Sequence, residues 1–411
     1  MRRILSAAAA VLLAVTSLGA LPRTAEAEEA PWPAVFDPSI LWNLHIQMSP
    51  ADWDFIRKDL TETYRPGWIW VNGEEPIFVA IRRKSSRALP SERNPIKVSL
   101  KVDINEYVDD QLWHGLNKLS LENGNGPGVV GENLAWAMHR LAGETYGFPV
   151  AFANFVRVNV NGTYIGLYAN VEQRDKQALR NRGLWDGGET WIYEQDGGGL
   201  ILDEGDPDSP AVGHLCYSPF QPKKGSCPIP NDAALEADLR AWIEMDNFLA
   251  QCAVEALTDN HDSLCSHGKN TFFVDFSVAR MVNEGRKRFY MPWDSDSIFK
   301  NPDINIYGIR SWTRKLYQDP YEQVILNHPV FRTEYNDKIM SLTDPATGRL
   351  SLTVLYAYLD DSEALIASSL ATDPYPTSGA ASFDQLKSWL ADRYESARAQ
   401  AIANTNPAPR P

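Results

Sequence analysis

The chain has 411 residues, 44% of them hydrophobic, and a formal net charge of −14 from 39 basic and 53 acidic side chains. A chain of that length can bury one large core or two. So acidic a balance excludes nucleic acid or anionic lipid as the main partner, because both select basic faces, and it suits polycationic or metal-chelated partners.

Arg2 and Arg3, the apolar run Ile4 to Leu21 and the small residues Ala25 and Ala27 form a secretory signal over residues 1–27, with cleavage expected after Ala27. A membrane span needs about 20 apolar residues. Ser6, Thr16, Ser17 and Gly19 interrupt this run and no comparable run follows, so the mature chain is expected to be secreted or periplasmic, without a span. Ile40 to Met48 reads as a strand. Ser49 then caps a helix with Pro50 in its first turn and Asp52 at the box position, running through Trp53, Ile56 and Leu60. Ile77–Ile81 and the strictly alternating Ile96–Ile104 are strands. Gly131 to Leu141 is a helix with Leu134, Met138 and Leu141 on one face and Gly143 as its stop. Phe155–Val160, Asn161-Gly162 and Thr163–Tyr168 predict a hairpin on a type I′ turn, which accounts for the Asn161-Gly162-Thr163 sequon without a sugar.

Residues 196–231 are rich in Gly, Pro and Asp and read as a long excursion. Asp232–Leu257 is predicted as one helix, Thr271–Phe276 and Arg288–Met291 as strands, and helices fill the chain to about Arg398. The result is a β-rich first half and a helix-rich second half. Cys216, Cys227, Cys252 and Cys265 read as two disulfides of an exported protein. Sequential pairing closes the shortest loops, although other connectivities and a zinc site are alternatives.

The residues able to carry chemistry gather between Asp259 and Asp296. Asp294 and Asp296, two apart after a strand, can reach one hard cation, and Mg²⁺ or Mn²⁺ favours such oxygen donors. Asp262, with Asn270 eight residues on, supplies an acceptor for a hydroxyl proton and a further metal ligand, as phosphoryl transfer requires. Asp259 is a second candidate for the base. Each of these is also an ordinary turn residue.

The string Pro292-Trp293-Asp294-Ser295-Asp296 resembles the P-W-D-x-D signature of the CotH (spore coat protein H) kinase family. Five further blocks fall in that family's order. They are Ile81–Arg87 with Lys97–Asp103, Leu116–Asn123, Glu132–Ala135, Asn161–Tyr168 with Val171–Gln173, and Asn260-x-Asp262 with Asn270. The resemblance implies an α+β, atypical protein-kinase-like two-lobed fold, with a β-rich N-lobe over residues 28–195 and a helix-rich C-lobe over 196–400, while the residues from 401 to 411 read from the sequence itself as a disordered tail. It implies ATP with Mg²⁺ or Mn²⁺ as phosphoryl donor and serines of a secreted or surface protein as acceptor. Asp262 would be the catalytic aspartate, Asp294 would bind metal, and Asp296 and Asn270 would assist it. Arg82 and Lys84 in the basic loop, with Lys97 or Lys118, would contact phosphates, and Glu132 or Glu172 would anchor the lysine. Two departures stand out. The Arg82–Arg87 loop lacks the glycine that backbone cradling of phosphate exploits, and Gly124-Asn125-Gly126-Pro127-Gly128 replaces an Asp-containing run. The competing readings are a degenerate member serving as a structural or interaction protein of a surface assembly, and a different metal-assisted phosphotransferase or hydrolase.

Overall fold

A computed structural model describes residues 32–84, 97–196, 199–206, 232–267, 270–307, 326, 328–377 and 380–403. The proposed leader, Cys216, Cys227 and the chain end beyond 403 lie outside the described residues. The architecture is mixed α+β.

Seven strands form a closed barrel: β1 (Trp42–Gln47), β2 (Arg65–Val71), β3 (Ile77–Arg83), β4 (Leu100–Asp103), β5 (Lys118–Glu122), β6 (Ala153–Val160) and β7 (Thr163–Glu172). Their order is β1-β2-β3-β4-β5-β7-β6, and parallel pairing of β1 with β6 closes the ring. Alternation sends one face inward, so Ile46, Ile81, Leu100, Val102, Leu121 and Val158 pack together as the barrel core. The predicted hairpin is β6–β7. Asn161 (φ 50°) and Gly162 (φ 79°) both take the left-handed conformation that a type I′ turn demands.

Ten helices are described: α1 (Pro50–Lys58), α2 (Gly128–Tyr146), α3 (Lys176–Asn181), α4 (Asp232–Trp242), α5 (Met245–Leu257), α6 (Leu264–His267), α7 (Val278–Glu284), α8 (Pro329–Leu342), α9 (Leu352–Ala371) and α10 (Phe383–Ala403). Ser49 caps α1 as its sequence requires, its hydroxyl accepting from the Asp52 amide at 3.0 Å, and Ile56 plugs the barrel core. Helix α2 runs past Gly143 and stops at Gly147 (φ 75°). Gly143 is small for a packing reason, since a Cβ there would lie 2.7 Å from the Val150 side chain and 2.8 Å from the Phe148 carbonyl.

The helix expected over 232–257 is two. Arg288 breaks it by pairing with the backbone at the joint: its amide donates to Trp242 and its carbonyl accepts from Glu244, at 3.0 and 2.9 Å. This joins the helices to a second antiparallel sheet of order β11-β10-β8-β9, with β8 (Thr190–Asp196), β9 (Gly199–Glu204), β10 (Thr271–Phe276) and β11 (Phe289–Pro292). Strand β9 therefore occupies part of the segment expected to be an excursion, and residue 195, the expected boundary, falls inside β8. Helix α5 is buried along nearly its whole length and centres the larger core, which α2, α8, α9 and α10 share. A disulfide joins Cys252 to Cys265, one of the two sequential pairs expected, which leaves no thiolate there for a zinc ion. Among the described residues no helix is long and apolar enough to cross a membrane.

Candidate active site

The barrel's outer face carries the charges. Cross-strand register sets Arg82 beside Lys101 and Lys101 beside Ser120, while Asp103 faces Lys118. The Lys84 amide donates to the Ser99 carbonyl at 2.9 Å, so the ladder continues past β3 and Lys84 extends the same outward row as Arg82. From there its ammonium reaches across β4 to Glu122 at the end of β5 and forms an ion pair with it. Ser120 donates a second hydrogen bond to that carboxylate at 3.0 Å, and the Lys84 Nζ lies 4.4 Å from the Trp293 ring centroid. Burial opposes the Lys84 charge, but Glu122 and then Asp294 and Glu132 outweigh it, and its pKa is raised.

Glu132, on the second turn of α2, is 4% exposed and joins this cluster. Burial, then Glu122, drive its pKa well up, with Asp294 and Asp296 adding to the repulsion and Lys84 opposing it. Asp296 is raised to about 7 by burial, then by Asp294 and Glu122. Four carboxylates and one ammonium therefore share one field.

The acidic loops are positioned by the second sheet. Asn247 on α5 holds β11 through both backbone polar groups of Tyr290, accepting from its amide at 2.6 Å and donating to its carbonyl at 2.9 Å. Where β10 and β11 end, the Trp293 amide donates to the Asn270 carbonyl at 3.0 Å, and the Asn270 side chain donates to the Asp262 carbonyl at 2.9 Å. The His261 amide donates to the Ser297 carbonyl at 3.1 Å and the Phe299 amide to the Thr258 carbonyl at 2.8 Å. The loops bearing Asp262, Asn270, Asp294 and Asp296 are thus laced together. Asp259, Asn270, Asp294 and Phe299 all have φ between 50° and 55°. Each such residue costs on the order of 1 kcal/mol or more, and strain of this kind gathers at functional sites. The glycine-rich segment before α2 seals against the same loop, because a Cβ on Gly126 would sit 2.2 Å from the Asp296 carbonyl.

The structure separates the candidates. Lys84, Glu132, Asp294 and Asp296 come together, and Asn270 and Asp262 lie on the adjoining loops. Lys97 is committed elsewhere, buried against Asp373 at 2.7 Å, whose carboxylate also accepts from the Leu167 amide. Glu172 is held by both terminal nitrogens of Arg182, at 2.7 and 2.6 Å, by the Trp32 indole and by the Phe152 amide. Arg82 pairs with Glu62, and Lys118 lies 3.7 Å from Asp103. The buried Asp259 carboxylate accepts from the Lys300 and Asn301 amides at 3.2 and 2.6 Å, which makes it a loop clasp. Sequence reasoning missed Glu122, which only the barrel register sets opposite Lys84. It also missed Arg174, just beyond β7, whose guanidinium lies 3.2 Å from the Phe272 ring centroid and 3.3 Å from that of Trp293.

Among the described residues no three of these carboxylates lie within 4.8 Å of one another. Asp294 and Asp296, two apart on one loop, could offer one or two carboxylate oxygens to an ion, with water and phosphate oxygens completing its shell, as Mg²⁺ and Mn²⁺ are commonly held. Burial is the first cause that raises Asp296 and Glu132, and the carboxylate repulsion that adds to it is what such a cation would relieve.

No curated protein matches the chain. A family model described as CotH kinase protein matches residues 85–212 and 225–397, well over half of the chain, and spans Glu122, Glu132, Asp262, Asn270, Asp294 and Asp296. The chain belongs to the CotH kinase family.

Proposed function

We propose that this protein is an exported kinase that moves the γ-phosphoryl group of ATP to serine hydroxyls of secreted or surface proteins with Mg²⁺ or Mn²⁺. In this reading the barrel and α2 act as a nucleotide lobe, and the helices with the second sheet act as a catalytic lobe. The observation that carries it is the Lys84–Glu122 pair set in one field with Glu132, Asp294 and Asp296. A lysine directed by a carboxylate and facing metal-binding acids is what positioning of a triphosphate needs.

Asp294 and Asp296 would hold the cation, which when bound neutralises charge on the phosphate oxygens. Lys84, restrained by Glu122 and by the face of Trp293, presents its ammonium to the phosphates. Asp262 accepts the proton of the acceptor serine hydroxyl as that oxygen attacks phosphorus and the bond to the nucleoside diphosphate breaks. Asn270 keeps Asp262 in place through its backbone carbonyl, and Asp259 fixes the neighbouring loop. The test is phosphoryl transfer from labelled ATP to the protein itself or to a serine-rich acceptor, with Mn²⁺ or Mg²⁺ present. Wild-type protein is expected to transfer label and a folded Asp294→Ala variant to transfer none. Equal labelling by the variant would remove the kinase reading.

A further inference from the structure

Five cations line the barrel's outer face and the end of β7: Arg82, Lys84, Lys101, Lys118 and Arg174. Three have carboxylate partners already described. Among the described residues, Lys101 and Arg174 have no carboxylate within ion-pairing distance, although Lys101 is half-buried and Arg174 is only 4% exposed. The Nε and one terminal nitrogen of Arg174 are buried with no hydrogen-bond acceptor. A buried guanidinium with orphaned N–H groups is unfavourable unless an acceptor arrives. Phe272 and Trp293 clamp its plane from two rings, so the donor edge is fixed in direction before any ligand binds. The same indole carries the Lys84 ammonium, which places Arg174 beside the Lys84–Glu122 pair; burial opposes the Arg174 charge, and Glu194, Asp203, Asp294 and Glu122 support it from beyond ion-pairing distance. Burial first, and then repulsion from Arg82, Lys118, Lys84 and Arg174, lowers the Lys101 pKa to about 8, so an arriving anion would stabilise its charge.

We propose that Arg174 and Lys101 form an anion subsite beside Lys84 that receives phosphate oxygens of the nucleotide's polyphosphate chain. A phosphate group offers paired acceptor oxygens to a planar fork and more negative charge than one carboxylate, matching two uncommitted cations. The subsite replaces the phosphate-cradling role that the glycine-poor Arg82–Arg87 sequence does not supply. It rests on the kinase reading for the identity of the polyphosphate, but it is testable without catalysis.

The experiment is calorimetric titration of the mature protein with pyrophosphate, with ATP plus Mn²⁺ and with adenosine, for wild type, Arg174→Met and Lys101→Met. Each variant should bind pyrophosphate and ATP about tenfold more weakly or worse, the worth of a hydrogen bond between charged groups. Adenosine affinity should be unchanged. A folded Arg174→Met protein that binds pyrophosphate and ATP as wild type does overturns the proposal. If that variant does not fold, Lys101→Met decides by the same criterion. Arg174-dependent pyrophosphate binding without any phosphoryl transfer would leave the subsite standing and remove the kinase reading. Phosphoryl transfer with an unchanged KM for ATP in Arg174→Met would do the reverse.

Discussion

Replacing Glu122 by Gln separates the lysine anchor that the structure shows from the ones its sequence suggests. The change keeps the shape and removes the charge that holds Lys84. Breaking a fully buried pair costs roughly 3–5 kcal/mol. Here Lys84 keeps 20% of its side chain exposed and Glu122 12%, and Asp294 and Glu132 still act on the ammonium, so the loss is about 2 kcal/mol. For a chain of this length melting as one unit that lowers Tm by roughly 2–3 °C. The KM for ATP should rise about tenfold, because Lys84 loses the partner that directs it. Glu172→Gln is the contrast: it strips Arg182 of its carboxylate and should lower Tm while leaving the KM for ATP in place. Differential scanning calorimetry with initial-rate kinetics checks both. The reasoning is refuted if Glu122→Gln melts and turns over as wild type does, or if Glu172→Gln raises the KM for ATP equally.

Two further outcomes follow from buried groups. His139 on α2 is 2% exposed, and burial lowers its pKa to about 3. The folded pKa lies below the unfolded value of about 6.5, so the unfolded chain takes the proton first and stability is lost as pH falls from about 6.5 toward 3. At pH 5 that contribution reaches about 2 kcal/mol, and a His139→Leu protein should show a shallower fall in Tm between pH 6.5 and 5. A parallel decline would contradict the assignment. The Cys252–Cys265 disulfide, with a sequence separation of 13, closes a loop containing Asp262. Its removal by a double Cys→Ala change should cost about 3 kcal/mol on the chain-entropy account, read as a lower Tm.

Much of the local structure is written locally. The β6–β7 hairpin follows from Asn161-Gly162, the α1 start from Ser49-Pro50, and β10 coincides with the run Thr271–Phe276. Strand β2 escaped notice because Pro66-Gly67 interrupts its pattern, and β9 because it lies in a Gly- and Asp-rich stretch. The break between α4 and α5 depends on Arg288, distant in sequence. The site divides in the same way. Asp294 and Asp296 announce themselves by spacing, and Asp262 and Asn270 by their order. The choice among lysines was not legible, since Lys97 finds Asp373 after 276 residues and Lys84 meets Glu122 only once three strands are in register. Long-range pairing, not residue type, decides which charges are free to act.

Thermal unfolding with Mn²⁺ and ATP, together and apart, addresses the shared acidic and basic field most directly. At a hundredfold excess over Kd the pair should stabilise the wild-type protein by about 2.7 kcal/mol, roughly 3 °C in Tm, while Asp294→Ala gains nothing. A wild-type Tm indifferent to the pair, or an Asp294→Ala protein stabilised as much as wild type, would contradict it.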